Sequence, residues 1–168
     1  TAMIKKAVHV GLQEGAIRAE DLYGLDDELF FARFGDDPFP PFRLIADVGN
    51  RRLLKPAATI PFDPTDPRHY SISDMAVRTK LEAELARSLG VEPHLVIIDL
   101  PDPISFEARF PIFEEDRVWD FEQKSVFSPD VVRKFTETLR KIRLLLPADR
   151  ISDSFPGRQT LDEAIRGV

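Results

Sequence analysis

Cysteine is absent from the 168 residues, which excludes disulfides and thiolate zinc sites and suits a cytosolic setting. Glycine is scarce: eight against fourteen prolines, so turns here rest more on proline corners than on flexible backbone. No apolar run approaches the roughly 20 residues that a bilayer span requires, so no membrane partner is expected. An excess of positive charge is also missing. The formal net charge of −6 argues against a nucleic-acid partner held through phosphates. Several chemical signatures do not occur: no Gly-x-Ser-x-Gly elbow, no Walker A loop, no Gly-x-Gly-x-x-Gly and no His-Asp dipeptide.

What is present is enough for one proper core. Hydrophobic residues make up 43% and charged residues 31%, the balance of a globular chain of this length. The chain opens on Thr1, and Ala2 to Val8 reads as the inside of a helix, so a fragment lacking its natural N-terminal portion is expected. Met3, Ile4, Ala7, Val8 and Leu12 fall at helical spacing and predict a helix over 2–14, capped at Gly15. Short helical pieces follow at 18–23, after an Asp26 N-cap, and on the stripe Phe42, Leu44, Ile45 and Val48.

Residues 53–62 predict an irregular or edge strand, because Pro56 cannot donate to a ladder. Residues 63–69 read as a loop, and Ser73 as the cap of a helix over 74–88 with Met75, Val77, Leu81, Leu85 and Leu89 on its buried side. The central strand is expected at His94 to Asp99, whose uninterrupted apolar run 95–98 suits a strand covered on both faces. A hairpin over 109–113 and 117–121, a helix from Ser128 with Val131, Val132, Phe135 and Leu139 on its apolar side, and a last strand over 142–146 complete the body. Beyond Pro147 a polar tail ends in a short helix boxed by Thr160 and Glu163. The fold class expected is α+β: N-terminal short helices followed by a small mixed β-sheet flanked by helices.

Residues able to carry chemistry are few. His9, His69 and His94 lie far apart in different elements, and an ordinary structural or solvent role is expected over metal ligation. Asp99 and Asp102 follow the expected central strand, where α/β folds gather functional groups, but acids beside prolines are commonly turn-formers. Two carboxylates without a third ligand make a poor metal site, so a small hydrolase built on them is the weakest reading. Arg51, Arg52 and Lys55 form a basic cluster inside an acidic chain. Such cations can receive a triphosphate, while dipole compensation at a helix end is the plain alternative.

The order of parts resembles the portion that follows the catalytic core in HD-superfamily phosphohydrolases, in the branch of the deoxynucleoside triphosphate triphosphohydrolases and the SAM-and-HD-domain enzyme. The pieces that carry the resemblance span about residues 2–147. They are Ala2 to Val8 with Glu14 to Ile17 and Asp21-Leu22, Leu25 to Leu29, Arg52 to Lys55, Leu85 to Gly90, Val96 to Pro101, Ser125 to Pro129 and Arg143 to Pro147.

The resemblance implies a divalent metal held by histidines and aspartates of an HD domain that this sequence does not contain, so no catalytic or metal residue carries over, and no cofactor is expected in the fragment itself. It also implies that Lys55, with Arg51 and Arg52 beside it, helps hold an effector nucleotide at a subunit interface, although Pro56 departs from the family pattern. The partners implied are the HD domain, further copies of the chain in a homo-oligomer, and a nucleotide effector. The organisation expected is a helical segment over 1–50 continuing from the HD domain, an α+β domain over 51–147 and a tail over 148–168. The alternative is a freestanding interaction or scaffold domain without enzymatic activity.

Overall fold

A computed structural model describes residues 2–102, 112–114, 117–119, 131, 134 and 139–167. The described chain runs through helix α1 (Ala2–Gln13), a 3-10 turn (Ala19–Leu22), α2 (Asp27–Phe34), a 3-10 turn (Pro40–Phe42) and α3 (Arg43–Gly49) before reaching strand β1 (Lys55–Pro61). Helices α4 (Pro67–Ser71) and α5 (Met75–Leu89), a 3-10 turn (Pro93–Leu95) and strand β2 (Ile97–Asp99) follow. A small hairpin, β3 (Ile112–Glu114) and β4 (Arg117–Trp119), precedes β5 (Lys141–Leu146), a 3-10 turn (Ala148–Arg150) and a last helix, α6 (Gly157–Arg166). The α+β class and the order of helices before sheet are as expected. No helix among the described residues is long and apolar enough to cross a membrane.

The main sheet has the order β1-β5-β2, and both ladders are antiparallel. The strand at its centre is therefore β5, not the 94–99 run. Period-two alternation divides β5 between two cores. Ile142, Leu144 and Leu146 are buried on one face with Ala58, Ile60 and Ile98, under Leu81 and Leu85 of α5 and Leu161 and Ile165 of α6. Leu145 and its cross-strand partner Ile97 point the other way, into a core made by Met3 and Ala7 of α1, Phe34 of α2 and Phe42, Leu44 and Ile45 around α3. Short β2 is thus covered on both faces, as its unbroken apolar sequence predicts. Each fully buried Leu or Ile contributes roughly 1.5–3 kcal/mol, so the sheet is held mainly by its helical coats.

Several boundaries differ from expectation for local reasons. His94 and Leu95 belong to a 3-10 turn because Pro93 opens it, which shortens the strand. Helix α5 is capped by Asp74, whose carboxylate accepts from the Ala76 and Val77 amides, while the Ser73 hydroxyl meets Arg140 instead. On that helix Leu81 and Leu85 are buried as expected, but Met75 is exposed. Asp66 and Pro67 start a short helix where the sequence reads as loop. β1 is the edge strand predicted, with a register shift between Pro56 and Ala58.

Val131 and Leu139 are helical but half-exposed; Ser128, Val132 and Phe135 of that expected helix lie outside the described residues, as do 109–111 and 120–121 of the expected hairpin. Thr160 sits inside α6 rather than capping it, and bonds back to the Pro156 carbonyl.

Helix α6 begins earlier because its first residue passes against β1. A Cβ on Gly157 would stand 2.1 Å from the Ala57 carbonyl oxygen, closer than any real contact. Gly157→Ala is expected to lower stability by about 2–3 kcal/mol in chemical unfolding, while Arg158→Ala on the exposed side of the same turn stays within about 0.5 kcal/mol. Equal midpoints for the two variants would contradict this seating of α6.

Candidate functional site

Helix α3 hands the chain to β1 through the basic segment. Arg51 follows the helix in the left-handed region, φ 59°, with its amide donating to the Val48 carbonyl at 3.0 Å. A residue other than glycine carries a cost of order 1 kcal/mol there, so this backbone is held by its surroundings. The Leu54 amide meets the Met3 sulfur at 3.4 Å, tying the segment to α1.

The three cations are not equivalent. Arg52 Nε donates to Asp47 Oδ1 at 2.8 Å, and Arg43 approaches the same buried carboxylate at 3.7 Å. Arg51 and Lys55 are exposed, and no carboxylate among the described residues lies within ion-pair distance of either. Two unspent cations thus flank one that is already neutralised.

The acids after β2 are kept apart. Asp99 faces Arg143 across the β2-β5 ladder and binds it at 3.1 Å, whereas Asp102 pairs with exposed Lys5 at 3.7 Å. Asp99 is therefore a cross-strand ion-pair member rather than a turn-former. No group of three or more His, Asp or Glu side chains among the described residues is gathered to hold a metal ion. The histidines also stay separate: His69 Nδ1 accepts from the Asp63 amide at 2.8 Å, while His9 and His94 each have an Nε2 that is buried without a hydrogen bond.

Sequence reasoning missed the most deeply buried charges. Lys6 on α1 donates to Glu82 on α5, and the pair is 7% and 3% exposed. The other Glu82 oxygen accepts from the Ile98 amide at 2.8 Å, so a carboxylate occupies the free edge of β2. The available signal was a charge inside each apolar stripe: Lys6 beside Met3 and Ala7, Glu82 beside Leu81, Leu85 and Ala86.

Lys6 lines two cavities. One, of about 330 Å³, lies among α1, α5 and the Pro40-Pro41 and Pro93 corners; the other, of about 280 Å³, includes Glu82, Arg78, Asp99 and Asp102.

Burial holds the His94 imidazole below its ordinary range; Glu92 opposes this, Arg43 and Lys6 reinforce it, and Asp47 opposes it more weakly. Glu92 comes within 3.3 Å of Nε2 but not in hydrogen-bonding geometry. The unfolded chain then takes up the proton near pH of about 6.5 while the folded chain does not, so stability must fall as pH drops below that point, levelling once the folded site also protonates. Unfolding midpoints measured across this window are expected to decline less steeply for His94→Gln than for the parent. Parallel profiles would show that His94 is not buried neutral.

A family model described as HD associated region matches residues 1–141. No curated protein matches the chain, and no solved structure does.

Proposed function

The chain belongs to the HD associated region family, and from that premise we propose that it is the non-catalytic C-terminal part of a metal-dependent HD-type nucleotide phosphohydrolase acting on deoxynucleoside triphosphates. In this reading the divalent metal and its ligands sit in the HD domain, and residues 1–50 continue from it into the α+β body. The present residues supply oligomer contacts and an effector site at Arg51, Arg52 and Lys55.

The observation that carries the effector site is the pair of exposed, unspent cations at Arg51 and Lys55. Lys55 is held by the β1-β5 ladder opposite Leu146, and Arg51 by its fixed left-handed backbone, so both are presented from constrained main chain. A polyphosphate suits such a pair, because an anion shared by an ammonium and a guanidinium gains charge-assisted hydrogen bonds to both. Arg52 can contribute only by sharing itself with Asp47. Exposed apolar side chains, Tyr23 and Leu29 by α2 and Phe113 and Val118 on the hairpin, support contact with a catalytic domain or another copy.

The test is nucleotide activation of the protein carrying both this region and its HD domain. Lys55→Ala and Arg51→Ala are each expected to raise the effector concentration for half-activation by about tenfold or more, and Arg52→Ala by less. Unchanged activation in the first two variants removes the effector site; absence of any triphosphate hydrolysis in the parent removes the enzyme reading and leaves the scaffold.

A further inference from the structure

We propose that the corner formed by Ser73, Arg78 and Arg140 is a binding site for a phosphoryl dianion, either free phosphate or the phosphate of a small monoester. It opens on the cavity of about 280 Å³ beside β2, which Ser73 and Arg78 line together with Lys5 and Asp102. None of Arg51, Arg52 and Lys55 lines that cavity, so the site is separate from the proposed effector position and does not rest on it.

The two guanidiniums meet on one residue. Arg78 donates through Nε to the Ile72 carbonyl at 2.9 Å and through Nη2 to the Ser73 carbonyl at 3.3 Å. Arg140 donates through Nε to the Pro101 carbonyl at 2.8 Å and through Nη2 to the Ser73 hydroxyl at 3.4 Å, with its Cζ 4.1 Å from the centre of the Phe62 ring. All of these partners are neutral, and no carboxylate among the described residues lies within ion-pair distance of either guanidinium.

Arg140 is only 9% exposed, and a charge so far removed from water is ordinarily matched by an opposite one. Burial lowers its guanidinium from the ordinary value; Asp102 and Tyr70 oppose this, and the Arg78 charge reinforces it. Two cations that repel each other across one serine both gain from a shared dianion.

The acids of the cavity are already matched: Glu82 by Lys6, Asp102 by Lys5 and Asp99 by Arg143. Arg78 and Arg140 are left over. Their combined charge balances that of a phosphate above its second pKa of about 6.

Unspent donors are present as well. The Nη1 of each guanidinium makes no hydrogen bond among the described residues, yet neither atom is buried without a partner, so both reach the surface. The Ser73 hydroxyl accepts from Arg140, which leaves its own proton to donate. Guanidinium N–H groups beside a hydroxyl form charge-assisted bonds to phosphate oxygens.

The test is calorimetric titration of inorganic phosphate into the intact protein at fixed ionic strength and a pH of about 7.5, where phosphate is mostly dianionic. Glycerol 3-phosphate and chloride are titrated in parallel. Saturable phosphate binding, half-complete at about 1 mM or below, is expected, with none for chloride. Arg78→Gln should weaken it about tenfold, Ser73→Ala about threefold, and Arg78→Lys less than either. Arg51→Gln combined with Lys55→Gln should leave it unchanged. Tighter binding of glycerol 3-phosphate than of phosphate identifies a monoester as the occupant; equal or weaker binding identifies free phosphate.

Phosphate should also raise the unfolding midpoint of the parent more than that of Ser73→Ala, which reads the site even if Arg78→Gln does not fold. Absence of saturation below about 20 mM phosphate, or unchanged affinity in Arg78→Gln and Ser73→Ala, would overturn the proposal. So would weakened binding in the Arg51 and Lys55 double variant, which would move the anion to the effector position.

Discussion

The buried ion pair between Lys6 and Glu82 is the constraint on which the architecture turns. It joins the first helix to the fifth across 76 residues of sequence, and the same carboxylate holds the Ile98 amide at the edge of β2. Taking two charges out of water costs several kcal/mol per ion, and their attraction offsets this only when the remaining lone pairs are also satisfied. Glu82 meets that condition with one oxygen on the ammonium and the other on the strand. The value of such a pair lies in specificity: a helical layer held only by apolar contact could slide over the sheet, whereas an ammonium and a carboxylate fix one register.

That register places what lies around it. With α1 fixed, Met3 reaches the Leu54 amide and Ala7 packs below α3, so the chain enters β1 with Arg51 and Lys55 turned to solvent. Lys6 also borders both cavities, so their shapes depend on the seat of α1. On the opposite face the closure is steric. α5 ends at Gly90 in the left-handed conformation, with the Val91 amide returning to the Ala86 carbonyl, and α6 closes down through the bare Gly157 backbone.

What could be read from the sequence was what depends on neighbours along the chain. The stripes of α1 and α5, except for Leu12 and Met75, which are exposed, the Asp26 cap, the edge character of β1 and the two-sided burial of Ile97 and Ile98 follow from periodicity and proline chemistry and are present. What could not be read depended on distant partners. Ser73 and Asp74 both have cap chemistry, and Arg140, 67 residues from Ser73, decides between them by engaging the hydroxyl. Thr160 and Glu163 have the spacing of a capping box, yet the close approach of Gly157 to Ala57 goes with a helix that starts four residues sooner, with Pro156 at the cap position. Asp99 and Asp102 are three residues apart in sequence, but strand pairing gives one to Arg143 and the first turn of α1 gives the other to Lys5. The basic cluster was visible as composition; that Asp47 neutralises only Arg52 was not.

The most direct measurement is a double-mutant cycle in chemical unfolding with Lys6→Met, Glu82→Gln and both together. Lys6→Met leaves a buried carboxylate without its cation and should cost about 3–5 kcal/mol. Adding Glu82→Gln removes that charge while its amide oxygen still receives the Ile98 N–H, so the double variant should regain at least half of the loss. Losses that simply add would contradict a coupled pair setting the register of helix on sheet.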